Sequence, residues 1–184
     1  MNTLIKIIAG FAFILLCTNS VIAQLSLGLE FQAYPTGIIP GLRLATDIGD
    51  RGEANLRLGY QIIDHQDFGV QDDETGSGVG ATLGYRHFFK DARKGFFAGI
   101  RTDLWFNSID YISLLGTPAE RRGTSNIVVL QPTLEGGYRF NLGEQFSLTP
   151  ALGFGVEWNI ATNGEPTGQG PIVLGGLSFM YHIR

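Results

Sequence analysis

Between Phe146 and Ile160 every second residue is apolar: Phe146, Leu148, Pro150, Leu152, Phe154, Val156, Trp158 and Ile160. The residues between them, Ser147, Thr149, Ala151, Gly153, Gly155, Glu157 and Asn159, are small or polar. A period of two without a slip describes a strand with one greasy face and one polar face. At about 3.3 Å per residue the stretch extends for roughly 50 Å, longer than the strands of water-soluble sheets. A tilted strand that crosses a bilayer and protrudes beyond it needs this length.

The same alternation recurs along the chain. Strands are expected over 25–31, 42–48, 56–62, 79–85, 96–106, 128–140, 146–160 and 173–183, with Pro35, Gly37 and Pro40 closing the first. After that first connection, long loops near 64–77, 107–126 and 161–171 alternate with short turns near 49–52, 90–94 and 141–144. Short turns on one side and longer loops on the other are the pattern of an even-stranded outer-membrane barrel. Aromatic residues gather at strand ends: Phe31, Tyr60, Trp105, Phe106 and Trp158 toward the loops, and Tyr85, Phe96, Tyr138, Phe140, Phe146, Phe179 and Tyr181 toward the turns. Two such belts suit the two interfaces of a bilayer, so Tyr60, Tyr85, Phe96, Trp105, Tyr138, Phe146, Trp158 and Tyr181 are expected at the lipid interface.

The alternation leaves open which face is outside. A soluble, lipocalin-like periplasmic barrel would put the apolar set inside. That set holds roughly 35 bulky residues, whereas a packed eight-stranded interior holds on the order of a dozen side chains. The small and polar set fits a narrow lumen, and edge-free closure satisfies every backbone group in hydrocarbon. The expected fold is therefore all-β, an eight-stranded antiparallel up-and-down transmembrane β-barrel.

Residues 1–23 carry Lys6, an apolar run from Ile7 to Leu16 and Val21-Ile22-Ala23 before Gln24, which reads as a cleaved secretory signal peptide. The run is too short for a spanning helix. Cys17 lacks the small residue that a lipobox places before it, and cleavage after Ala23 would remove the single cysteine. Residues 24–184 would then form one barrel domain. The formal net charge of −4 becomes about −5 without Lys6, which gives no electrostatic case for nucleic acid.

On these strands, turns and aromatic belts the chain resembles the small outer-membrane β-barrel families, of which the OmpX, OmpA transmembrane-domain and OmpW types are members. The resemblance is one of architecture over the whole mature chain. It implies an outer-membrane location with both chain ends in the periplasm. Such barrels usually end on an aromatic residue, whereas this chain ends His182-Ile183-Arg184.

Glu30, Arg43, Arg57, Arg86, Arg101, Asp103, Glu135, Arg139 and Glu157 fall on the inward parity and are expected to form a lumen charge network, with Arg101 and Glu135 as its central pair. The network reads either as a plug or as a lining for a narrow ion path. An OmpW-like path for small hydrophobic molecules would want an apolar interior, at which Phe88, Phe97, Trp105, Leu174 and Met180 hint. Asp72, Asp73 and Glu74, with Asp67, form an acidic loop without calcium-loop spacing. Arg121 and Arg122 suit lipid phosphates of the outer leaflet. None of His65, His87 and His182 has the His-x-Ser spacing of the barrel lipid A deacylases. No catalytic residue, cofactor or metal is expected. The expectation is a monomer with a structural or surface-interacting role, its loops contacting lipopolysaccharide or an extracellular partner; the alternatives are a narrow pore and the soluble binding barrel.

Overall fold

The computed structural model describes residues 24–66, 70–90 and 93–183. The expected signal segment, Asp67 and Arg184 lie outside the described residues. Eight strands follow in order: β1 (Leu25–Tyr34), β2 (Gly37–Ile48), β3 (Gly52–Gln66), β4 (Asp73–Phe88), β5 (Gly95–Ser113), β6 (Arg121–Leu142), β7 (Phe146–Asn163) and β8 (Gly170–Ile183). Each pairs antiparallel with the next, and β1 closes the barrel on β8, from Leu25 opposite Ile183 to Ala33 opposite Gly175. Closure leaves no free edge.

The barrel is inside out. Leu58, Ile100, Leu134, Leu152 and Phe154 are each about 60% exposed or more, while Arg43, Arg57, Arg86 and Asp103 are at most 2% exposed. Strand β1 shows it residue by residue: Leu25, Leu27, Leu29 and Phe31 face out, and Ser26, Glu30 and Gln32 face in. The lipocalin-like alternative needs the reverse, and roughly three dozen outward apolar side chains have no room inside so narrow a tube.

The strands run further than the sequence pattern indicates. Residues assigned to the 64–77 and 107–126 loops continue the β3–β4 and β5–β6 ladders, from Gln66 opposite Asp73 and from Ser113 opposite Arg121. Their alternation is inverted there, which hides them as strands. Outward positions turn polar past Phe106 (Ser108, Asp110) and past Val79 (Ser77, Thr75), while inward positions turn apolar (Ile63, Ile109, Ile127). The switch marks the upper rim of the apolar belt: below it the barrel faces hydrocarbon, and above it the barrel faces water around an ordinary core.

Pro40 and Pro132 sit within strands β2 and β6, where they cannot donate to a ladder. Pairing of β2 with β3 skips from Ile38 to Gly41, and that of β6 with β7 skips from Leu130 to Thr133, beside a bulge at Val128/Val129. Gly143, at φ 75°, turns β6 into β7 in a conformation that a side chain would strain.

Candidate functional site: a layered lumen

Three layers fill the lumen. At its middle, Glu30 accepts hydrogen bonds from Arg43, from Arg57 Nη1 and Arg101 Nη1 at 3.3 Å each, and from Gln32 Nε2 at 2.9 Å, with Arg86 Nη2 at 4.0 Å. Asp103 accepts from Arg57 Nη2 at 3.1 Å, from Arg101 Nε at 3.0 Å and from the Thr82 hydroxyl. One floor nearer the turns, Arg86 grips Glu135 with two bonds, Nε to Oε1 at 2.6 Å and Nη2 to Oε2 at 3.0 Å. Glu53 receives Arg139 Nη2 at 2.6 Å and Arg43 Nη2 at 3.3 Å. Among the described residues, five buried arginines face the carboxylates of Glu30, Glu53, Asp103 and Glu135. Such shared pairing is what makes buried charge tolerable, because each guanidinium replaces lost water with several acceptors.

The expected central pair is not formed. Glu135 bonds to Arg86, and Arg101 bonds to Asp103 and Glu30. The reason is Gly99, which lies between Arg86 on β4 and Glu135 on β6 in register; having no side chain, it lets Arg86 pass across β5. A Cβ at Gly99 would sit 3.1 Å from Glu135 Oε1 and 3.2 Å from Arg86 Cγ. Glu53 escapes the sequence reading because it abuts a turn, yet it shares the parity of Asn55 and Arg57, and that parity places it in the lumen. Glu157 is corrected as well: it lies apart from the network, near the loop end, accepting from Gln131 Nε2 at 3.3 Å.

The second layer is apolar. Ile39, Ile63, Trp105, Ile109, Ile127 and Val129 pack across the lumen above the charges, with Tyr34 against them. Trp105 is not at the lipid interface, contrary to expectation; it is fully buried, sharing the inward parity of Arg101 and Asp103, with the Arg57 guanidinium 5.4 Å from its ring centroid. Gly80 and Gly59 make the space: a Cβ at Gly80 would come within 2.2 Å of Trp105 Cε3, and one at Gly59 within 2.8 Å of Cη2. Tyr60, Tyr85, Phe96, Phe146, Trp158 and Tyr181 face outward, and Tyr138 packs edge-on to Phe96 at 4.8 Å.

At the turn end, Phe88 and Phe97 pack 5.4 Å apart beneath Arg139 and Arg86, each 4.6 Å above a ring. Together with Leu174 and Met180 they are buried, so these side chains fill the lumen rather than line a passage. His182 bridges Ser26 at 2.7 Å and Ser147 at 3.0 Å. A void of about 10 Å³ lies between the central network and strands β7 and β8.

The third layer is a cavity of about 260 Å³ at the loop end, over the isoleucines. The acidic run does not converge. Asp72 Oδ2 accepts from the Leu115 amide at 2.8 Å, while Glu74 turns inward to His65 Nε2 at 3.0 Å. No three His, Cys, Asp or Glu among the described residues are placed to hold a metal ion. Arg122 pairs with Glu120 at 2.7 Å in the open.

Closed pairing, outward apolar side chains and a filled polar lumen define the class: the fold is that of the small outer-membrane β-barrels. The chain is similar to a major outer membrane protein from Thermus thermophilus, at a TM-score of 0.63 and 17% identity over 89% of this chain and 100% of that one. The N-terminal barrel domain of Pseudomonas aeruginosa OprF is similar at 0.48 and 13% identity, over 87% and 97% of the two chains. Yersinia pestis Ail, solved with the heparin analogue sucrose octasulfate, is similar at 0.48 and 8% identity, over 88% and 97%. No protein-family model and no curated protein matches the chain.

Proposed function

We propose that the chain, after loss of residues 1–23, is a monomeric outer-membrane barrel with a structural or surface-interacting role, conducting nothing and catalysing nothing. Its loop end faces outward and meets lipopolysaccharide or an extracellular partner, with Arg121 and Arg122 toward lipid phosphate. The observation that carries this reading is the double seal. An apolar layer around Trp105 overlies the Glu30–Asp103 charge layer, so packed side chains occupy the lumen at both levels. An eight-stranded interior is just wide enough for its own side chains.

Two measurements test it. Fractionation should recover the protein in outer membranes, and unheated samples in detergent should migrate as a folded band that shifts on boiling. In planar bilayers the inserted barrel should give no discrete current; steps that change in an Arg101→Ala variant would replace this reading with a charge-lined pore.

A further inference from the structure

The cavity at the loop end belongs to none of the roles above, and its chemistry is selective. Ile63, Ile109, Ile127 and Ile172 give it an apolar side, beside the polar side chains of Gln61 and Asn107. Its charged groups are Glu74, Glu157 and His65, with no lysine or arginine in the lining. Glu74 is 3% exposed; its Oε2 meets His65, and its Oε1 has no partner. A buried carboxylate oxygen without a donor is costly, and a cationic donor arriving from outside would relieve that cost. Burial pushes the carboxyls of Glu74 and Glu157 above the usual carboxylate range, Glu157 to about 7, and an arriving cation would favour their ionised forms.

The cavity also has a built roof. The segment 164–169 folds over the mouth and is tied from three sides. Ser125 Oγ donates to the Glu165 carbonyl at 2.8 Å, and Gln71 Nε2 to the Pro166 carbonyl at 3.0 Å. Asn159 Nδ2 donates to Thr167 Oγ1 at 3.0 Å and to the Gly168 carbonyl at 3.3 Å. Thr167, within the segment, is 4% exposed. Beneath it lies the packed Trp105 layer. The shape is a dead-end pocket.

The geometry points to a binding site for a small organic cation, a primary ammonium on a compact apolar body, held with its charge on Glu74 and Glu157 and its body on the isoleucines. The volume equals the share of about eight or nine waters, which suits an arylalkyl amine and excludes a folded peptide. Metal ions fit poorly, since no three ligating side chains among the described residues are placed to hold one. A primary ammonium supplies three donors for the carboxylates of Glu157 and Glu74; Glu74 Oε1, which is shielded from water, would turn toward it. The site rests on the fold alone and stands whether or not the loop end serves a larger partner.

Calorimetric titration of the detergent-purified protein with 2-phenylethylamine tests it, beside 2-phenylethanol and 3-phenylpropionate as neutral and anionic counterparts of similar shape. The amine should bind saturably at one site per barrel, the alcohol at least tenfold more weakly and the acid not at all. Glu74→Gln should weaken the amine at least tenfold. Ile172→Arg, which sends a guanidinium into the pocket, should abolish binding in a barrel still folded by heat-shifted migration. Asp50→Asn, in the exposed turn at the opposite end of the barrel, should change nothing. Absence of saturable binding, equal affinity for amine and alcohol, or full binding by the folded Ile172→Arg protein would each overturn the assignment.

Discussion

A guanidinium withdrawn from water must find acceptors for five N–H donors, and the lumen arginines divide that task unequally. Arg86 places two of its donors on a single carboxylate, Glu135, from a side chain 1% exposed. Arg86→Ala therefore leaves Glu135 buried without its main partner, and the expected loss is about 3 to 5 kcal/mol. The exposed Arg121→Ala should shift stability by less than about 0.5 kcal/mol. Urea midpoints of the refolded variants in one detergent measure both; equal midpoints would mean that water reaches Glu135. Gly80 offers a steric test at the same scale. Gly80→Ala drives a methyl to within 2.2 Å of the buried indole of Trp105, and the expected cost is about 1 to 3 kcal/mol by thermal unfolding. In a Trp105→Ala background the same Gly80→Ala change should cost less, because the clash with the indole is gone and only that with the Leu104 carbonyl, at 2.5 Å, remains. The inward parity of Arg86 and Glu135 is legible in the sequence, but their partnership is not: it depends on which strand positions align, and on Gly99 leaving the way open. Trp105 shows the other failure. Its place near a strand end suggests an interfacial ring, yet parity alone decides the face, and Trp105 keeps step with Asp103.

For a whole strand, the solvent on its outer face decides how its residues alternate. Below the rim set by Tyr60, Val79, Phe106 and Val128 the outer face meets lipid; above it, the same strands meet water. A charge on the outer face should therefore cost what its depth dictates. Leu152, 69% exposed on β7, lies within the belt, and Leu152→Arg should cost about 2 to 4 kcal/mol. Thr75, outward on β4 above the rim, should accept arginine at about 0 to 1 kcal/mol. Unfolding midpoints in lipid bilayers read both, and a neutral Leu152→Arg would reverse inside and outside. This dependence also explains which parts of the strands are legible. Phe146 to Ile160 is unmistakable because one solvent acts along most of its length. From Ile62 to Ser77 and from Asn107 to Asn126 the pattern inverts midway. Hydrophobicity there signals a core rather than a lipid face, and the polar outer residues imitate a loop.

On the proposed reading of a sealed barrel, the apolar and charge layers are independent barriers in series, and that independence predicts how the barrel can be opened. The apolar layer blocks ions by refusing them hydration, whereas the charge layer blocks them by occupying the cross-section with guanidiniums held to Glu30 and Asp103. Removing one barrier leaves the other intact. Trp105→Ala should empty space in the upper layer, yet bilayers should stay silent because Arg57, Arg101 and Gln32 still span the lumen below. Arg101→Ala alone should stay silent for the converse reason. The double variant should conduct, with small steps favouring cations, since loss of one guanidinium from five leaves the four carboxylates matched by four, and Glu74 and Glu157 at the entrance add negative charge. Planar-bilayer recording of the four proteins, wild type included, reads the outcome directly. Current through either single variant would show that one layer carries the whole block, and silence in the double variant would show that Phe88 and Phe97 form a third seal at the turn end.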